Sequence, residues 1–298
     1  MKSKPEFLIV GAAKSGTTSL FHYLTSHPNI FIPEIKECRF FSQLSRDFVG
    51  LGAEFFANGG INNKQEYFSL FEGREEVCGD ISNDYLYYYA ESIKNIKRHL
   101  DPNVKIVVIL RNPIDRAYSN YMHHMRDGWE DLSFEDAINQ EANRISENWS
   151  WGYHYTSTGM YFKQVSAYLN EFKNVKIYLF EDLKNTEKFL DSLFDFLEVD
   201  RLKRCDLREV HNISGHPKSL YLHKLFNNDN IFRKTFKSLL GSCVDKNVVS
   251  AITARINAVN LHKVPINPPT REKLVEVFAD DVTRLSDLIK RDLSGWLK

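Results

Sequence analysis

The chain opens on an apolar run, Phe7-Leu-Ile-Val10, which gives way to a polar turn and then to a helical alternation from Thr17. A short, uniformly apolar run predicts a strand covered on both faces. The alternation predicts a helix from Thr17 to about His27, ended by Pro28. Residues 104–110 are nearly all apolar and β-branched and predict a second buried strand. Asn112 is a good N-cap and Pro113 fits the first helical position, so Arg111 should end that strand and a helix should follow. Residues 175–183 predict another buried strand with a polar exit. The stripe Tyr161, Val165, Tyr168, Leu169, Phe172 marks the helix before it, and Phe189, Leu190, Leu193, Phe194, Leu197 mark the one after. Leu274, Phe278, Leu285, Leu288 and Ile289 continue helical spacing behind the start signal Pro268-Pro269-Thr270. The alternation of strands and helices predicts an α/β fold. Three layers are expected, with a central, mostly parallel sheet flanked by helices and extra helices at the C-terminus.

Bulk properties narrow the classes. The 298 residues contain no repeat or low-complexity linker, so one domain over 1–298 is expected, and 43% hydrophobic residues suffice for a sizeable core. Thirty-nine basic and 39 acidic residues cancel, which argues against bulk electrostatic binding of nucleic acid. Cys38, Cys78, Cys205 and Cys243 are scattered without a C-x-x-C pair, so neither a metal site nor a disulfide framework is expected. Reduced thiols fit a cytoplasmic location, and no signal peptide or membrane span is read from the sequence.

The turn after the first strand carries the chemistry. Gly11-Ala-Ala-Lys14-Ser15-Gly16-Thr17-Thr18 joins a strand to a helix start, where unpaired backbone N–H groups and the helix dipole favour an anion. A Walker loop needs lysine directly after its last glycine. Here Thr17 stands in that place and the lysine comes earlier, at Lys14, which weakens a magnesium–nucleotide reading. A second site follows at the other predicted strand end, in Arg111-Asn-Pro-Ile-Asp-Arg-Ala-Tyr-Ser119-Asn-Tyr. Arg111 and Ser119 could both face a phosphate beyond the carboxyl edge of the sheet.

Lys-Ser-Gly-Thr-Thr after a buried strand resembles the 5′-phosphosulfate loop of sulfotransferases that use 3′-phosphoadenylyl sulfate (PAPS), and Arg-x-Pro-x-x-Arg-x-x-Ser-x-Tyr resembles their 3′-phosphate site. The resemblance implies a P-loop-like fold. It makes Lys14 the lysine at the phosphosulfate bridge, Ser15, Gly16, Thr17 and Thr18 the cradle, and Arg111 and Ser119 the 3′-phosphate ligands. Lys36-Glu37-Cys-Arg39-Phe-Phe resembles the segment that holds the catalytic glutamate of the heparan-sulfate-type members, which makes Glu37 the base candidate. His123 shares a helix face with Ser119 and matches a histidine near the active site of N-sulfotransferases, as acid/base helper or acceptor orienter. Gly79-Asp80-Ile81-Ser-Asn83-Asp-Tyr85 resembles a third family segment, with Ile81 where the family places a second lysine. Lys36, Arg39, Asp80, Asn83 and Tyr85 are candidate acceptor contacts. Lys218 and Ser219, with Gly215 as a hinge, match a loop that closes over the nucleotide. Asp292-Leu-Ser-Gly-Trp-Leu297 resembles a closing segment of bacterial members.

These residues imply transfer of a sulfuryl group from PAPS to a hydroxyl or amine, leaving adenosine 3′,5′-bisphosphate and needing no metal. The glycan-type glutamate segment favours a carbohydrate acceptor. Two other readings stay open at this point. A P-loop kinase or NTPase would need magnesium and ATP. A non-catalytic nucleotide- or glycan-binding protein would have no use for Glu37.

Overall fold

In the computed structural model, residues 4–43, 47–201, 216–217, 261–262 and 265–298 are described. Strands and helices run in the order β1 (Phe7–Gly11), α1 (Thr17–Thr25), β2 (Ile30–Phe31), α2 (Ala53–Ala57), α3 (Lys64–Ser69), β3 (Val77–Ile81), α4 (Tyr89–His99), β4 (Lys105–Leu110) and α5 (Pro113–Asp127). There follow α6 (Phe134–Asn139), α7 (Glu141–Ser146), α8 (Tyr161–Glu171), β5 (Val175–Leu179), α9 (Thr186–Leu197), the short pair β6 (His216–Pro217) and β7 (Leu261–His262), and α10 (Pro268–Ile289). The main sheet has the order β2-β3-β1-β4-β5, and every pairing in it is parallel.

Strand side chains divide between two cores as the two-residue period requires. Leu8 and Val10 of β1, with Ile106, Val108 and Leu110 of β4, join one cluster with Ile93, Ile96, Ile114, Ala117, Val165, Tyr168, Leu274 and Phe278. Phe7 and Ile9, with Val107 and Ile109, join the other with Leu20, Leu24, Leu193 and Phe194. α1 and α9 therefore cover one face, and α4, α5, α8 and α10 the other. This is the three-layer α/β arrangement expected from the sequence. Each fully buried Leu or Phe in these layers contributes about 1.5–3 kcal/mol against exposure.

The helix starts follow their local chemistry. Asn112 Oδ1 accepts from the N–H groups of Ile114 and Asp115, and Pro113 occupies the first turn of α5. Pro268 and Pro269 occupy the first turn of α10, where Asn267 makes no side-chain cap. The third predicted strand is shorter than expected: β5 stops at Leu179, and residues Phe180–Lys184 form a 3-10 turn. Asp182 bends the chain there by accepting from the Leu179 N–H at 2.8 Å.

Candidate active site

β1 and β4 are neighbours, so the turns that leave their carboxyl ends lie side by side at one edge of the sheet. α1 starts at Gly16, which is left-handed (φ 91°) and provides no side-chain cap. Glycine adopts this left-handed backbone without strain, and a Cβ there would come within 2.8 Å of Leu183 Cδ2. The first turn of α1 carries no acidic residue, so its amide dipoles are not neutralised by the chain. Ser15 is fully buried and its Oγ has no hydrogen-bond partner.

Cations converge on this turn. Arg111 Nη1 donates to the Lys14 carbonyl at 3.0 Å, and the Arg111 guanidinium lies 4.7 Å from the centre of the Phe180 ring. Lys36 Nζ donates to Thr18 Oγ1 at 2.9 Å. The Lys14 ammonium is pushed down to about 8, first by burial and then by the charges of Arg126, Arg111 and Lys36, with Asp127 acting the other way. Burial also lowers Arg111, opposed by Asp115, Tyr161 and Glu181. A turn with this excess of positive charge fits a multiply charged anion. Ser119 lies two turns into α5 and is half-buried, and Thr17 and Thr18 open α1.

Glu37 reaches the same place from another direction. It sits after β2 with a left-handed backbone (φ 65°). Its N–H donates to the Ile81 carbonyl at 3.1 Å, and its Oε2 accepts from the Asn83 N–H at 2.8 Å, so the end of β3 pins it. Its Oε1 stands 3.3 Å from Lys36 Nζ but accepts no well-aligned hydrogen bond. That oxygen keeps a lone pair for another donor, and Lys36 ties the carboxylate to the start of α1.

His123 belongs to the cluster, since the charges of Lys14, Arg126 and Lys36 add to burial in pushing its imidazolium down to about 2. Burial is the larger cause, and the shift favours the neutral ring. Its Nε2 is 3.4 Å from Asp127 Oδ2, and its ring meets Trp129 edge-on at 6.0 Å.

Asp80 and Tyr85, expected as acceptor contacts, are 1% and 0% exposed. Asp80 Oδ2 accepts from the hydroxyls of Tyr67 and Tyr85, and Oδ1 accepts from Ser82, so the pair forms a floor under the site. Arg39 is half-buried, with its N–H on Ser82 Oγ and its guanidinium 6.0 Å from the Phe56 ring centre. Ile81, where the resemblance expects lysine, is 2% exposed in the core. Lys36 is the cation beside Glu37 instead. Lys218, Ser219 and Gly215 lie outside the described residues. Arg126 was not anticipated; the available signal was its place one turn after His123 on α5.

Residues 4–235 match the family model described as a sulfotransferase domain. The chain belongs to the sulfotransferase family. A sulfotransferase from Alicyclobacillus acidocaldarius superposes with a TM-score of 0.78 at 32% identity, covering 100% of both chains. A bifunctional heparan sulfate N-deacetylase/N-sulfotransferase 4 of Mus musculus is 31% identical over 125 residues, which are 40% of this chain and 13% of that protein. The membrane-associated sulfotransferase kil1 of Dictyostelium discoideum is 28% identical over 151 residues, 47% of this chain and 29% of that protein. The chain thus spans a small part of the length of the curated relatives it matches. Among its described residues no helix is long and apolar enough to cross a membrane, and no group of three or more His, Cys, Asp or Glu is placed to hold a metal ion.

Proposed function

We propose that this sulfotransferase uses PAPS as donor and a carbohydrate hydroxyl or amine as acceptor, within a single domain over 1–298. The observation that carries the donor assignment is the cation cluster of Lys14, Arg111, Lys36 and Arg126 around the open N-terminus of α1. Lys14, Ser15, Gly16, Thr17 and Thr18 would hold the phosphosulfate, and Arg111 and Ser119 the 3′-phosphate. When bound, PAPS supplies the sulfuryl group and departs as adenosine 3′,5′-bisphosphate.

The side chains divide the remaining work. Glu37 Oε1 takes the proton of the attacking hydroxyl or amine, while Asn83 holds the other carboxylate oxygen in place. Lys14 and the amides of α1 face the charge that grows on the departing phosphate, a preorganised electrostatic role. Neutral His123 orients the acceptor by hydrogen bonding. The carbohydrate preference is supported by the Lys36-Glu37-x-x-Phe40-Phe41 segment and by a relative whose name specifies heparan sulfate. A kinase reading has less support, since Thr17 replaces the Walker lysine.

Calorimetry with adenosine 3′,5′-bisphosphate, with and without chelator, tests the donor. Saturable binding that ignores the chelator is expected; binding of magnesium–ATP alone would overturn the assignment. Turnover of labelled donor across a glycan panel tests the acceptor, and transfer only to non-carbohydrate alcohols would overturn that part.

A further inference from the structure

Behind the Lys14 turn lies a cavity of about 10 Å³, lined in part by Ala12, Ala13, Asn83, Arg116, Trp151 and Gln164. Five buried polar atoms with no hydrogen-bond partner belong to those lining residues: Asn83 Oδ1, Arg116 Nε and Nη1, Trp151 Nε1 and Gln164 Oε1. Arg116 and Gln164 are 1% and 4% exposed. Arg116 uses only Nη2, on the Tyr155 carbonyl, and Gln164 turns Nε2 towards the Ser157 carbonyl at 3.4 Å, leaving Oε1 over.

We propose that this cavity binds one ordered water molecule, which ties Arg116 of α5, Trp151 and Gln164 to Asn83 and so helps to position Glu37. The volume matches a single water, and buried waters typically make two to four hydrogen bonds to otherwise unpaired groups. The chemistry of the lining is selective. Arg116 and Trp151 offer donors, while Gln164 Oε1 and Asn83 Oδ1 offer acceptors. A water molecule accepts from two of the three N–H groups, one on Arg116 and one on Trp151, and donates to the two oxygens. A halide could take the donors but would face both carbonyl oxygens unpaired, so water is favoured over an anion. The link to function is short: the side chain of Asn83 takes the water, and the backbone N–H of Asn83 holds Glu37 Oε2.

A crystal structure of the full chain, grown with bromide as the halide, tests the site. A single peak within hydrogen-bonding distance of Arg116, Trp151 Nε1, Gln164 Oε1 and Asn83 Oδ1, with no bromide anomalous signal, supports it. A bromide signal there, or side chains closed directly on one another, overturns it. Kinetics test the positioning. Trp151→Phe removes one donor and Gln164→Met removes one acceptor at similar volume. Both variants should retain the affinity for adenosine 3′,5′-bisphosphate within about twofold while kcat falls about tenfold or more, as a small displacement of a catalytic group can cause. Unchanged kcat and pH profile in whichever variants fold would overturn the positioning role. The kinetic readout rests on the role proposed for Glu37, whereas the density does not, so the failure of one is distinguishable from the failure of the other.

Discussion

Arg111 donates a hydrogen bond to the backbone carbonyl of Lys14 at 3.0 Å, although 97 residues separate them in sequence. The bond joins the end of β4 to the turn after β1, so the two motifs proposed to bind the nucleotide's anionic groups are directly linked. Arg111→Ala removes a charged ligand and loosens the turn that carries the other. Hydrogen bonds to charged groups contribute about 1.5–3 kcal/mol each, so affinity for adenosine 3′,5′-bisphosphate should fall roughly 10- to 150-fold by calorimetry. A loss below threefold would separate Arg111 from nucleotide binding.

Glu37 is held by two backbone contacts at the end of β3, its own N–H on Ile81 and its Oε2 under Asn83. Glu37→Gln keeps the shape of the side chain and removes its ability to take a proton. The kcat should drop about 10²- to 10⁴-fold, the usual range for a positioned acid/base group, with nucleotide affinity nearly unchanged. Equal losses in kcat and nucleotide affinity would instead mark Glu37 as part of the nucleotide seat.

The pH dependence of binding follows from Lys14. Its ammonium is pushed down to about 8, so in the free protein it loses its proton as pH rises through that value. An anion at the turn favours the charged form, and binding above pH 8 must take up a proton. Nucleotide affinity should therefore decline from pH 7 to pH 9, with proton uptake visible as a dependence of the calorimetric heat on buffer ionisation. Lys14→Arg, which stays charged over this range, should flatten the decline. The same depression has a stability sign. Between about pH 8 and the ordinary lysine range the unfolded chain holds the proton and the folded chain does not, so Lys14 penalises folding less as pH rises.

The strand-to-helix turns were legible because their signals are local. Glycine spacing, the position of Lys14 and the Asn112-Pro113 start depend on a few consecutive residues. The roles of Asp80 and Tyr85 were not legible for a physical reason. β3 is the second strand in from the sheet edge, and Cys78, Gly79, Asp80 and Ile81 are all buried. Such a strand has no polar–apolar alternation to say which side chains face a ligand. Burial of Asp80 depends on Tyr67, a partner 13 residues away on α3 that no motif connects to it. Arg126 stayed hidden because its nearness to Lys14 depends on how α5 packs beside the turn.

Asp84 provides a stability test that leaves the nucleotide seat untouched. It is fully buried, its Oδ2 accepts from Ser42 Oγ at 2.6 Å, and its Oδ1 has no partner. Burial holds the carboxyl up at about 7, with Glu37 adding to the shift while Arg39 and Ser42 oppose it. A folded-state value above the unfolded one means that ionisation opposes folding. The neutral acid is accommodated fully below the unfolded value of about 4, and stability is lost as pH rises from there through about 7. Asp84→Asn fixes the neutral form and can still accept from Ser42. Thermal melts at pH 8 should show the variant more stable by about 1–2 kcal/mol, read as roughly 2–3 °C for a chain of this length, with the gain shrinking towards pH 4. A variant less stable at pH 8 would mean that the ionised carboxylate is a required partner of Arg39, and that the charge balance beneath Glu37 is the reverse of the one described.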